Sequence, residues 1–131
     1  MSPATNEHGI YQAKIVTIIS RLTERGIIIS ECSVLTTEGV KVADVAWASQ
    51  EFFEKNKGNT PFNESPEICI EIMSPSNTEK EMNEKRDLYF ANGAKEFWIC
   101  DSEGNIQQFS PNGIIKKSNI IPAFPHKLFI W

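Results

Sequence analysis

Ile68-Cys69-Ile70-Glu71-Ile72-Met73, followed by Ser74-Pro75-Ser76-Asn77-Thr78, sets the architecture of the chain. Ile68, Ile70 and Ile72 make Glu67 to Met73 a strand, and Ser74-Pro75-Ser76-Asn77 breaks it. Thr78 with Glu81 three residues on forms a capping box, so a helix starts there. That helix is predicted to run to about Asn92, with Gly93 suited to the left-handed position beyond its end. Lys95 to Asp101, centred on Phe97, Trp98 and Ile99, is a second strand. Strand, helix and strand with short joints form a βαβ unit, most simply two parallel strands joined by a right-handed crossover.

On either side of that unit the pattern continues. Ser102-Glu103-Gly104-Asn105 reads as a hairpin turn into a strand over Ile106 to Ser110. Weaker strands are predicted near Gly113 to Lys117 and Leu128 to Trp131. Towards the N-terminus, a helix is predicted from about Asn6 to Arg25, with Tyr11, Ile15, Ile18 and Leu22 as its apolar face and Gly26 after its end. Ile27 to Thr36 and Val40 to Ala48 read as a hairpin around Glu38-Gly39, and Ser49 to Lys57 as a short helix before a polar loop through Pro66.

The chain has 131 residues, 40% hydrophobic and 23% charged, which fits one domain over 1–131 and excludes disorder as the default state. No apolar run is long enough to cross a membrane. Met1 to Glu7 shows no basic region leading into an apolar block, so a cytoplasmic protein is the simplest expectation. Cys32, Cys69 and Cys100 are widely spaced in apolar runs and form no C-x-x-C, which disfavours a zinc site and suggests buried thiols. Neither a phosphate-binding glycine loop nor a dinucleotide fingerprint occurs. His8 and His126 each stand alone, which disfavours a Ser-His-Asp or Cys-His enzyme.

Net charge is −4, and a protein that coats duplex DNA usually has a basic face. The charge is uneven: acids concentrate between Glu51 and Glu103, and beyond Glu103 there are only Lys116, Lys117 and Lys127.

Two acids are out of place. Glu71 interrupts an apolar strand, where a carboxylate is costly unless paired, protonated or bound to metal. Asp44 does the same in Val42-Ala43-Asp44-Val45-Ala46-Trp47. The plainer alternatives are a salt bridge for Glu71 and a turn contact for Asp44. Two such carboxylates on adjacent strands make a hard-oxygen site suited to magnesium. Lys85 shares a helix face with Glu81 and Tyr89, so it is either in a surface pair with Glu81 or turned back towards Glu71. Glu7 lies one turn before Tyr11 and is most simply a first-turn acid.

Together, Val42-Ala43-Asp44-Val45, Ile70-Glu71-Ile72-Met73-Ser74-Pro75-Ser76-Asn77-Thr78, Lys85, Tyr89, Gly93 and Glu96-Phe97-Trp98 resemble the Uma-type restriction-endonuclease-like family of the PD-(D/E)XK nuclease superfamily. The resemblance extends from about Ser2 to Phe124-Pro125. It implies an α/β fold: a restriction-endonuclease-like mixed central β-sheet flanked by helices, with the βαβ crossover after the motif glutamate. It makes Asp44 and Glu71 the motif acids, and Lys85 the motif lysine moved from strand to helix, so that Met73 is apolar. Glu7 or His8 matches an auxiliary position. Ala43 replaces the family's proline, and the hairpin that usually precedes the early helix is missing from this sequence, so that either this is a trimmed member or the true start lies upstream.

The resemblance also implies hydrolysis of DNA phosphodiesters with Mg2+ or Mn2+. Asp44, Glu71 and the Ile72 carbonyl would bind the metal, and Lys85 would orient the attacking water or offset transition-state charge. The implied partner is DNA, single-stranded or met within a complex; the acidic composition favours a small or single-stranded substrate, or the silent alternative below, over processive cutting of a duplex, with Lys116, Lys117 and Lys127 as the expected backbone contact. Strand edges left by the missing hairpin favour a homodimer. The alternative is a catalytically silent nuclease fold acting as a dimerising interaction module.

Overall fold

A computed structural model describes residues 4–131. Met1 to Pro3, where the resemblance and the reading of the N-terminus begin, lie outside the described residues. The elements run α1 (Asn6–Leu22), β1 (Ile27–Thr36), β2 (Gly39–Ala48), α2 (Gln50–Asn56), β3 (Ile68–Ile72), α3 (Glu79–Ala91), β4 (Glu96–Cys100), β5 (Ile106–Ser110) and β6 (Gly113–Ile115).

The strands form one six-stranded sheet in sequence order. Every neighbouring pair is antiparallel except β3 and β4, which are parallel and joined through α3. This is the mixed α/β sheet with a crossover that the sequence predicts. β3 is buried throughout, and its alternation divides the core. Ile68, Ile70 and Ile72 pack under Tyr11, Ile15 and Ile19 of α1, while Cys69 packs with Met82 and Tyr89 of α3. Glu71, two residues after Cys69, therefore points to the α3 side.

The details depart from the predicted pattern in three places. The buried face of α1 is Tyr11, Ile15 and Ile19, whereas Ile18 is only half-buried and Leu22 is exposed. The helix ends at Leu22, and the left-handed Gly26 serves another purpose: a Cβ there would lie 2.5 Å from the Trp47 ring. Leu128 to Trp131 form no strand. The segment from Ser118 to Leu128 instead straps the α1 face, burying Ile121, Phe124 and Leu128. It is tied at one end by Glu96, a buried carboxylate of β4 that accepts from Trp98 Nε1 (2.9 Å), Ser118 Oγ (2.6 Å) and the Asn119 amide (2.8 Å). At the other end the Ile106 amide donates to the His126 carbonyl and the Leu128 amide to the Gly104 carbonyl.

The outer edge of β1 is not bare along its length. The Leu35 amide donates to the Phe62 carbonyl (2.9 Å), and the Phe62 amide to the Ser33 carbonyl (3.0 Å). All three cysteines are buried free thiols, and burial pushes those of Cys32 and Cys100 up to about 12. No described helix is long and apolar enough to cross a membrane.

Candidate active site

Glu71 is 3% exposed and sits under α3, whose register is set at its start by Thr78. The Thr78 hydroxyl accepts the Glu81 amide at 3.2 Å, completing the predicted cap. Two turns on, Lys85 Nζ donates to Glu71 Oε1 at 3.2 Å, and the Tyr89 hydroxyl donates to Oε2 at 2.9 Å. Lys85 thus turns back to the strand. Glu81 instead takes a hydrogen bond from Asn77 Nδ2. Burial is the main reason the Glu71 carboxyl is pushed up to about 8. The charge of Asp44 adds to that rise, while Lys85 and the Tyr89 hydrogen bond act against it. Tyr89, buried beside the carboxylate, has its own hydroxyl proton held more tightly than usual.

Asp44 reaches the same region from β2. The β2–β3 ladder runs from Trp47–Ile68 to Val45–Ile70. Beyond it, the Ile72 amide donates to Asp44 Oδ2 at 2.7 Å. The carboxylate therefore replaces the ladder where the strands part. A strand residue directs its N–H and C=O to the same side, so the Ile72 carbonyl faces this gap too.

The backbone at Asp44 is irregular. β1 and β2 pair on both sides, at Ser30–Val45 and Cys32–Ala43, but Glu31 between them has φ +53°. A non-glycine residue in that region is strained, and such strain collects at functional sites. Ala43 and Ala46 both pack in the α3-side core, which an evenly alternating strand cannot arrange.

α1 supplies the rest. His8 Nε2 lies 3.3 Å from Asp44 Oδ1, and Gln12 Nε2 donates to the Asp44 carbonyl at 2.8 Å. His8 Nδ1 is buried with no partner among the described residues. Of the two auxiliary candidates, the structure brings His8 to Asp44 and leaves Glu7 exposed on the helix. Gln12 is a residue that sequence reasoning missed. Its only signal is its place one turn after His8, beside the apolar face.

The structure thus brings Asp44, Glu71, Lys85 and the Ile72 backbone together. Its donors suit a hard divalent cation: two carboxylates and a carbonyl, oxygen throughout. Glu71 is desolvated and raised by its neighbour, so the site gains from added positive charge. Among the described residues no three His, Cys, Asp or Glu side chains converge as a ligand group.

The lysines beyond Glu103 do not form one patch. Lys127 Nζ donates to the Glu103 carbonyl at 2.7 Å, whereas Lys116 and Lys117 are exposed just after β6.

Residues 1–120 match the family model described as "Uma2: Putative restriction endonuclease". Among solved structures, the chain is similar to a putative nuclease belonging to DUF820 from Anabaena variabilis, with a TM-score of 0.79 at 15% identity. That match covers 98% of this chain and 80% of the other, and it shows a shared fold. None of the curated proteins matches the chain.

Proposed function

The chain belongs to the Uma2 family, and on that basis we propose that it hydrolyses phosphodiester bonds of DNA in a reaction dependent on Mg2+ or Mn2+. The observation that carries this reading is the convergence of Lys85 and Tyr89 on a buried Glu71 whose charge is coupled to Asp44. A carboxylate kept merely for packing gains nothing from a second acid nearby. A cation site does.

In this reading Asp44, Glu71 and the Ile72 carbonyl would hold the divalent ion. When bound, that ion supplies Lewis acidity, polarising the scissile phosphate and making water a better nucleophile. Lys85 is 30% exposed, so its ammonium can leave Glu71 for the open side of the site. There it orients the attacking water and offsets charge developing on the phosphate oxygens. Tyr89 keeps its hydrogen bond and fixes the Glu71 rotamer. His8 and Gln12 hold Asp44 from its other side, His8 through Oδ1 and Gln12 through the backbone.

The test is nicking of supercoiled plasmid and cleavage of a labelled single strand, with each metal and with EDTA. We expect cleavage with Mg2+ or Mn2+ and none with EDTA. Cleavage that persists in Glu71→Gln at the wild-type rate contradicts the proposal.

A further inference from the structure

A cavity of about 550 Å3 lies between the first turns of α3 and the β4–β5 hairpin. Its floor is apolar, formed by Met73, Met82, Ile99 and Phe109. The Arg86 guanidinium lies over the Phe109 ring, 5.2 Å from its centre. Its Nε donates to Asp87 and its Nη1 to the Asn83 amide oxygen, each at 3.2 Å.

This rim has no surplus positive charge. Arg86 is matched by Asp87, and Glu79 also lines the cavity. Asp101 is turned inward, accepting the Glu103 and Asn105 amides at 2.9 Å. The groove is therefore a poor phosphate site. It offers instead the exposed amide of Gln107 and the amide of Asn83 at its rim. An apolar floor with amide donors and acceptors at the rim suits a heteroaromatic base with a hydrogen-bonding edge. The volume lies within the range of small-ligand pockets.

The groove lies beside Glu71. Met73 stands two residues beyond Glu71 in the chain, about 7 Å along an extended backbone. Glu71 pairs in register with Ile99 of the groove floor.

We propose that this groove takes one unpaired nucleobase of single-stranded DNA, adjacent to the phosphate handled at Glu71 and Lys85. The assignment of the phosphate rests on the nuclease reading; the groove stands on its own geometry. A base inside a duplex has both faces stacked and its edge paired, so it enters only when unpaired. Single-strand binding that leans on base contacts suits an acidic protein better than coating a duplex does.

The experiment is fluorescence anisotropy of the full chain in EDTA with a labelled DNA 12-mer. The 12-mer is presented single-stranded, as duplex, with one central abasic residue, and as RNA. 2-Aminopurine at the central position reports base burial. We expect the single strand to bind about tenfold tighter than the duplex, the abasic strand to lose most of that margin, and 2-aminopurine emission to change on binding. Gln107→Trp, at an exposed position, fills the groove and should weaken single-strand binding about tenfold. Equal affinity for duplex and single strand, or unchanged binding by Gln107→Trp, overturns the proposal. RNA bound about tenfold tighter than DNA overturns its DNA assignment. If metal-dependent plasmid cleavage persists with no single-strand preference, the groove fails and the nuclease reading stands. If single-strand binding is sensitive to Gln107→Trp but no divalent metal supports cleavage, the groove stands and the nuclease reading fails.

Discussion

Glu71 is held in the fold at an electrostatic cost. Its carboxyl is raised to about 8, against an ordinary value of 4.5. Between those values the folded chain keeps a proton that the unfolded chain has lost. Metal-free stability should therefore fall as pH rises from about 4.5, with the penalty complete above about 8. Glu71→Gln removes that dependence. Thermal denaturation should find the variant increasingly more stable than wild type as pH rises, by about 1–3 kcal/mol at pH 9. A stability difference that does not change with pH would show that the buried charge is not the cause. Asp44 contributes a hydrogen bond instead, accepting the Ile72 amide. Asp44→Ala leaves that N–H unpaired and should cost about 1–3 kcal/mol in urea unfolding, whereas Asp44→Asn retains an acceptor and should cost less. Lys85→Met should abolish cleavage while leaving metal affinity intact, as read by calorimetry beside a plasmid assay. Unfolding of that variant would mark Lys85 as structural.

Asp44, Glu71 and Lys85 were legible because an acid in an apolar strand, and a lysine one helix later, are visible as exceptions. Glu7 shows how far such reading carries. One residue along a helix turns a side chain by about 100°, and it is His8 that faces Asp44. Glu96 was not legible as a buried group. It begins its strand like a solvated edge residue, and the donors that satisfy it stand at Ser118 and Asn119, far along the chain.

Among the elements, α3 carries the site and was the best defined from sequence, because a capping box, a strand break and Gly93 all fix its ends. Thr78→Ala should cost about 1 kcal/mol. Because Lys85 rides on this helix, the rate of cleavage should fall with it, and Thr78→Ser should restore both. α1 was harder. Ile18 and Ile19 are both apolar, so spacing alone could not choose the buried face, and packing against Ile68 and Ile70 selected Ile19. Leu128 to Trp131 read as a strand because four successive residues are apolar, yet they only continue the irregular strap over 118–128. Its shape is set by hydrogen bonds to Glu96 and to the Gly104 region, which no local pattern encodes. Glu96→Ala should speed amide hydrogen exchange across 118–121 far more than across β3. Equal protection in the variant would show that apolar packing alone holds the strap.

For the molecule as a whole, the net charge of −4 still opposes tight duplex binding, and the lysines beyond Glu103 do not gather to answer it. Positive charge is wanted instead at the proposed cation site of Asp44 and Glu71, and the groove beside it has no surplus of either sign to set against a phosphate backbone. One bound divalent ion would bring the total to about −2. It should also stabilise the fold in proportion to its occupancy, raising the melting temperature of wild type but not of Glu71→Gln. Metal-dependent cleavage requires Asp44 and Glu71 to form one cation site. Isothermal titration of Mn2+ into wild type, Asp44→Asn and Glu71→Gln, each confirmed folded, is the decisive test. Binding by wild type and its loss in both variants is the result expected. No binding by wild type, or equal binding by all three, contradicts it.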